Sequence, residues 1–116
     1  MPALDSRILK KLKEAIALVF SEWEKLPGEI SKFRIRGLLD THQNRYTLQH
    51  LEIDGPQHIA RTLAYLEIRD DKIWTEVDNT EKGIAPDLVA AGIPKDKIVL
   101  AFYPPALREV GEFAVT

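Results

Sequence analysis

Three histidines are the side chains of this chain best suited to bind a metal ion, because neutral imidazole is the commonest metal ligand in proteins. His42, His50 and His58 follow one another at intervals of eight residues. That spacing is not a local metal-binding motif, and histidines on the surface of strands or loops account for all three. We therefore expect neither a metal site nor another cofactor.

Acidic residues raise the hypothesis of a metal-dependent nuclease, which needs carboxylates at a strand end followed by an acid-x-lysine strand. The acid-x-lysine pattern is matched by Asp70, Asp71 and Lys72. The two acids fall in a predicted hairpin turn, however. The strand-end carboxylate should also precede the acid-x-lysine strand, whereas the pair Pro86-Asp87 comes after it. The nuclease hypothesis stays as a distant third, to be tested at Asp78.

A catalytic nucleophile and a nucleotide-binding site have less support in the sequence. Ser6, Ser21 and Ser31 lie in or beside the first predicted helix, without the strand-turn-helix elbow of a hydrolase. Gly83 and Gly92 are isolated, so the sequence contains no phosphate-binding loop. The absence of cysteine excludes thiolate nucleophiles and disulfides. The sequence predicts a protein that is not an enzyme.

Basic residues provide the alternative of direct DNA binding, since they cluster in the first half of the predicted helix and on the strand after it. The candidate contacts are Arg7, Lys10, Lys11, Arg34 and Arg36. Eighteen acidic against sixteen basic residues give a net charge of -2, which argues against bulk attraction to nucleic acid. We expect any such contact to be weak or indirect.

One long helix must position the N-terminal basic residues. Its apolar residues recur at steps of three and four, the spacing of one helix face. They are Leu9, Leu12, Ile16, Val19, Trp23 and Leu26, and the stripe is widened by Ile8, Ala15 and Phe20. Asp5 or Ser6 is suited to cap the start, and Pro27-Gly28 to end the helix. The wide stripe favours packing on a sheet.

Four strands with short links follow the helix. Apolar and polar residues alternate from Phe33 to Leu39 and from Tyr46 to Ile53, which is typical of half-buried strands. A third strand is predicted from His58 to Arg69 and a fourth from Lys72 to Asp78, joined by a two-residue loop. These links predict an antiparallel meander with the helix on one face.

The periodicity changes after Asp78. Pro86 and Gly92 bound a predicted second helix of two turns. The run from Lys97 to Tyr103 is continuously apolar at its centre, which is typical of a strand covered on both sides. We expect a central fifth strand, parallel to a strand of the meander. Residues 112–116 are expected to add a short edge strand or to dock on a partner.

These patterns predict one α+β domain over residues 1–116. It has a long N-terminal amphipathic helix packed on a mainly antiparallel sheet of about five or six strands, with a short second helix before the last core strand. Charges within the first apolar pattern, and the lack of an 18-residue apolar run, predict a cytoplasmic protein with no membrane contact. Exposed strand edges predict a homo-oligomer.

Short motifs are concentrated between residues 72 and 115. They match the family patterns KIW, Asp-x-Thr-Glu, GIA, an AG(I/V)P turn, an (I/V)VL strand, Pro-Pro and a terminal FAV. The matching residues are Lys72, Ile73, Trp74, Asp78, Thr80, Glu81, Gly83, Ile84, Ala85, Leu88, Ala91, Gly92, Pro94, Ile98, Val99, Leu100, Pro104, Pro105, Phe113, Ala114 and Val115. With these motifs the chain resembles the XisI family, the fdxN element excision controlling factors of cyanobacteria. Upstream, Asp40, Arg45, Tyr46, Leu48 and the turn Asp54-Gly55 also fit.

The resemblance implies a small accessory protein that acts with a partner, XisH, in the excision of a DNA element by a separate recombinase. The leading hypothesis is therefore a non-catalytic controlling factor that contacts an XisH-like protein. Its candidate interaction surface comprises Asp78, Thr80, Glu81, Arg108 and Phe113. Family members commonly carry His-x-Asp where this chain has Tyr65-Leu66-Glu67.

Overall fold

The helices and strands follow one another in the predicted order. The computed structural model describes residues 6–26 and 33–116. Its elements are α1 (Ser6–Glu24), β1 (Phe33–Asp40), β2 (Arg45–Asp54), β3 (Gln57–Arg69), β4 (Lys72–Asp78), α2 (Ala85–Ala90), a 3₁₀ turn (Lys95–Lys97), β5 (Ile98–Val99) and α3 (Pro105–Arg108). The predicted α+β class is confirmed. Within these ranges no helix has the length and apolar character needed to cross a bilayer.

Helix α1 lies against one face of the sheet, as its wide apolar stripe predicts. The buried positions of the helix are Leu12, Ala15, Ile16, Val19 and Phe20. A Cβ atom on Gly37 of β1 would lie 2.9 Å from Cδ2 of Phe20, so only glycine lets the helix approach the strand this closely. The predicted cap Asp5 and the predicted stop Pro27-Gly28 lie outside the described residues.

The sheet has the strand order β1-β2-β3-β4-β5. The first four strands are antiparallel neighbours, which confirms the predicted meander. Asp70 and Asp71 form the two-residue loop between β3 and β4, with φ angles of 53° and 58°. A tight hairpin needs these left-handed values so that the turn matches the twist of its strands.

Both α1 and α2 contribute to the core on the same side of the sheet. Helix α2 ends at Gly92, whose φ of 101° is left-handed. The N–H of Ile93 then donates to the carbonyl of Leu88 at 3.1 Å, and both side chains are buried. This ending confirms the predicted role of Gly92.

The prediction of a central fifth strand is wrong. Strand β5 has two residues, lies parallel to β4 at the end of the sheet order, and is nevertheless fully buried. The C-terminal segment covers its outer side, where Val99 forms a bridge with Ala114 and the N–H of Ala114 donates to Ile98 at 2.9 Å. Burial by that segment explains the apolar sequence. Phe102, from the same apolar run, is exposed.

Strands β2 and β3 extend past the end of β4. Strand β3 pairs with β2 from Gln57 onwards, but it pairs with β4 only between Ala64 and Arg69. We call residues 49–62 the arm. The molecule measures 52 × 30 × 23 Å, and its radius of gyration of 15.1 Å exceeds the value of about 13 Å for a compact chain of similar length. The chain therefore has an elongated shape.

Candidate functional site

Three of the predicted interaction residues, Asp78, Thr80 and Glu81, lie together in the loop after β4. One oxygen of Asp78 accepts hydrogen bonds from the N–H of Thr80 at 2.9 Å and from the Thr80 hydroxyl. The other oxygen accepts from the N–H of Ile84 at 2.7 Å. These bonds close the loop and fix the approach to α2. The Glu81 side chain is exposed beside them.

The other two predicted residues, Arg108 and Phe113, lie in the segment after β5. The Arg108 guanidinium donates to the carbonyls of Tyr103 at 2.9 Å, Val115 at 3.2 Å and Ala101 at 3.3 Å. Phe113 is half-buried and packs against the core. Arg108 therefore fixes the backbone of the C-terminal segment, because its planar guanidinium binds carbonyls that lie both before and after it in the chain.

Exposed apolar side chains lie on both sides of Arg108 along the chain, and we call them the C-terminal patch. Its members are Phe102, Tyr103, Leu107 and Val110, with exposed fractions of 39%, 44%, 53% and 84%. The rings of Phe102 and Tyr103 are in contact at 4.5 Å between centroids. Concentrated apolar exposure marks surfaces that bind other proteins. The sequence missed this patch, since it assigned Phe102 and Tyr103 to a buried strand.

The basic residues of α1 are exposed, but part of their charge is used within the chain. Arg7, Lys10 and Lys11 all lie on the solvent side of the helix. Lys10 lies 3.9 Å from Glu14 in an exposed ion pair, which contributes little to stability. Lys13, beside them, donates to the carbonyl of Thr41 at 2.8 Å and so ties the helix to the β1–β2 turn.

The other predicted DNA contacts, Arg34 and Arg36, lie on the opposite face of the sheet. Gly37 faces Phe20 of α1, and Ile35 on the same face is buried. Successive side chains of a strand point to opposite faces, so the two arginines point away from α1. The structure therefore does not bring the two basic groups together on one surface.

The position where the family commonly has His-x-Asp carries a polar and aromatic cluster on the same outer face. Tyr65 donates to Glu67 at 2.5 Å, and Arg69 lies 4.2 Å above the ring of Trp74. Arg69 also forms ion pairs with Glu67 and Glu76. The hydrogen bond to Glu67, with burial as a smaller cause, raises the pKa of the Tyr65 hydroxyl. The cluster stabilises the pairing of β3 with β4.

The three histidines are far apart in the fold. His42 is exposed in the β1–β2 turn, His58 is exposed on the arm, and His50 stacks on Phe33 at 4.9 Å between ring centroids. Across residues 6–26 and 33–116, no group of three histidine, aspartate or glutamate side chains has an arrangement that could hold a metal ion.

A groove of about 460 Å³ separates the C-terminal half of α1 from α2. Its walls are mostly apolar, and they include the exposed Leu18 and Leu26. At one side the indole N–H of Trp23 donates to Asp87 at 2.9 Å. Asp87 thus joins the two helices, a role that its place at a helix start does not reveal.

Comparisons with known proteins agree in the family that they indicate. Residues 7–115 match the family described as XisI protein. The crystal structure of the fdxN element excision controlling factor XisI from Anabaena variabilis is similar, with 27% identity and a TM-score of 0.75. An XisI-like protein from the same organism has 25% identity and a TM-score of 0.76. Each alignment covers 94% of this chain and 99% of the other. A search of curated proteins finds no match.

Proposed function

This chain belongs to the XisI family, and we propose that it is a non-catalytic controlling factor for the excision of a DNA element, acting by contact with an XisH-like protein in the cytoplasm. The observation that carries the proposal is the family match over residues 7–115. It is supported by the similarity to an excision controlling factor along 94% of the chain. Controlling a separate recombinase requires a binding surface and no chemistry of its own.

The C-terminal patch is the surface that we propose for this contact. It combines exposed aromatic and aliphatic side chains with a backbone that Arg108 holds in place. Protein interfaces are enriched in aromatic residues and arginine at their centres, and a rigid surface loses less conformational entropy on binding. Arg108 and Phe113 then act indirectly, by positioning the exposed side chains.

The polar loop after β4 is a second surface that we propose for contact with the partner. The carboxylate of Asp78 is occupied by donors from Thr80 and Ile84. A carboxylate that acts as a general acid or base needs a substrate proton within hydrogen-bond reach, whereas the donors around this one belong to its own loop and hold the backbone in place. Glu81 is the exposed member of the loop and is the residue that we expect to reach a partner.

Co-purification tests the proposal. The chain is expressed together with a tagged XisH-like protein, and we expect the two to elute as one complex. Leu107→Asp and Val110→Asp place a charge in the patch and should each weaken the complex at least tenfold, because an unpaired charge becomes buried on binding. Leu18→Asp is the matched control for Leu107→Asp, since Leu18 and Leu107 are exposed to 51% and 53% but Leu18 lies on α1.

Two results would overturn this proposal. Separate elution of the two wild-type proteins at micromolar concentration would contradict the contact itself. Equal binding by Leu107→Asp, Val110→Asp and the Leu18→Asp control would exclude the C-terminal patch as its location.

Direct DNA binding gives a different result in a separate experiment. Because the basic residues are divided between two faces, we expect the chain alone to show no salt-dependent binding to a duplex. Binding at low salt that is weakened by Lys10→Ala and Lys11→Ala would instead support a DNA-binding module.

A further inference from the structure

We propose that the arm joins two copies of this chain, which pair along the open side of β3 to form one continuous antiparallel sheet. This inference does not depend on the proposed function. It rests on the backbone at the edge of β3, on the charges at the two ends of the arm, and on a cleft at its base.

The open edge carries backbone groups that have no neighbouring strand among the described residues. Strand β4 ends at Asp78, and Asn79 then uses its N–H and its side chain to bind the carbonyls of Leu63 at 2.7 Å and Thr62 at 2.9 Å. Leu63 lies at a register shift, where it has no partner on β2, so the alternation along the arm is counted from Thr62, whose carbonyl points to the open edge. Alternate residues of a strand direct their backbone groups to the same edge, so His58 and Ala60 also face outwards. An open edge of this kind is a template for pairing with another chain.

A two-fold axis at Ile59 gives a consistent register for two copies. His58 of each copy then lies opposite Ala60 of the other, and the outward N–H and C=O groups of both residues pair. The two Ile59 side chains meet at the axis, where each is only half-buried in a single chain. Antiparallel pairing about such an axis uses the same residues from both copies, as a closed dimer requires.

The charges of the arm are complementary in this register. Gln57 comes to lie opposite Arg61 of the second copy, and Gln57 is paired with Asp54 in its own chain. Arg61 of one copy therefore approaches Asp54 of the other. Neither side chain has a hydrogen bond or ion pair within residues 6–26 and 33–116, and both are exposed. Opposite charges across an interface fix its register.

The cleft at the base of the arm has the position and size for the tip of a second arm. It has a volume of about 440 Å³ and is lined by His50, Arg61, Thr62, Leu63 and Asn79. In the two-fold register the turn at Gly55-Pro56 of the second copy follows directly after its Asp54, and so reaches this cleft. The tip is exposed in the single chain. The lining of the cleft includes Arg61, the residue that approaches Asp54 next to that tip.

Light scattering of the purified chain tests the pairing. We expect the wild type to have twice the mass of the 13.2 kDa chain. Ala60→Pro removes an N–H that points outwards, so it should halve the mass while leaving the pairing with β2 intact. Leu39→Pro is the matched control. The Gly37 N–H points away from β2 to Glu24, so by alternation the Leu39 N–H also lies on the outer edge of β1. The control should stay dimeric.

Charge reversal tests the register without altering the backbone. Asp54→Arg and Arg61→Asp should each give monomers, because each places like charges opposite one another in both contacts of the dimer. Mixing the two monomeric variants should restore a dimer that contains one copy of each, since both contacts then regain opposite charges. An interaction within one chain cannot produce this rescue.

A monomeric wild type at high micromolar concentration overturns the proposal. So does a dimer that survives Ala60→Pro, or one that Leu39→Pro disrupts equally, because the contact then lies elsewhere. If Ala60→Pro fails to fold by circular dichroism, the mixing experiment decides. Rescue supports pairing along the arm, and failure of rescue contradicts it.

Discussion

The two free edges of the sheet differ in how their backbone groups are covered. On β1, the N–H of Gly37 donates to the carboxylate of Glu24 at 2.7 Å, and the carbonyl of Ile35 accepts from Arg36 at 3.0 Å. On β3, Asn79 covers only the carbonyls at the base of the arm. The edge of β1 is therefore covered by side chains at Ile35 and Gly37, and the edge of β3 is open over His58 and Ala60.

The difference shows how one small sheet can control where it pairs. Natural proteins blunt an edge with charged side chains that occupy its hydrogen-bonding groups, and they leave an edge open where another strand is to bind. Here a glutamate from α1 provides the cover, so the protection of β1 depends on the close packing of that helix. The open edge lies where no described helix reaches.

The largest contrast in stability is expected between the arm and the body, by which we mean the part of the sheet that packs against α1 and α2. Leu66, in the part under the helices, is fully buried, whereas Leu51 on the arm is half-buried. Leu66→Ala should lower the free energy of unfolding by about 2–5 kcal/mol, and Leu51→Ala by much less, because a half-buried site leaves no sealed cavity. Urea unfolding measures both. Equal losses would mean that the arm is packed as tightly as the body.

Gly37 sets the approach of α1 to the covered edge of β1. Gly37→Ala places a methyl group 2.9 Å from Phe20 and should cost about 1–3 kcal/mol in urea unfolding, because the helix must move. Gly111→Ala is the matched control, since its new methyl group lies 3.6 Å from the nearest atom. A loss of similar size in the control would show that close packing is not the cause.

Glu24 covers the edge directly, and its removal should have a smaller effect. Glu24→Ala should lower the free energy of unfolding by about 0.5–1.5 kcal/mol and speed the hydrogen exchange of the Gly37 amide. Glu22→Ala is the control, because Glu22 forms only an exposed pair with Lys25 at 3.3 Å. Unchanged exchange at Gly37 in Glu24→Ala would contradict the role of the cover.

The hydrogen bond of Tyr65 on the outer face of the sheet should have the smallest effect on stability, and this effect appears only at high pH. Because Glu67 accepts a hydrogen bond from the Tyr65 hydroxyl, the folded chain holds the Tyr65 proton more strongly than the unfolded chain, whose tyrosine pKa is 10.0. This stabilisation is complete below pH 10.0 and is lost as the pH rises through the raised pKa of the folded state. Above that pH, the midpoint temperature of thermal unfolding should therefore fall more steeply with pH in the wild type than in Tyr65→Phe. Parallel curves would exclude the contribution.

Local patterns predicted the elements of the fold well. The bounds of β4 agree with the structure residue for residue, and the start of β3 differs by one residue. These elements are set by short-range signals: the alternation of apolar residues, and the pair Asp70-Asp71, which tolerates left-handed angles. The prediction of a central fifth strand was wrong because an apolar run indicates that a segment is buried, and the sequence does not show which part of the chain covers it.

The candidate site was predicted less well, because its contacts join residues distant in the chain. The sequence singles out Asp78, Thr80 and Glu81 as polar residues among apolar ones, but it does not show that Ile84, six residues after Asp78, donates its N–H to that carboxylate. The contact of Glu24 with Gly37 follows no motif either. Only tertiary structure reveals which edge is covered.

Hydrogen exchange of the Ala60 amide, followed at two protein concentrations, is the measurement that tests the contrast between the edges most directly. The amide of Ala60 should exchange more slowly as the concentration rises, because a second chain protects it, while the Gly37 amide should exchange at the same rate at both concentrations. Exchange at Ala60 that is independent of concentration would contradict pairing along the open edge of β3.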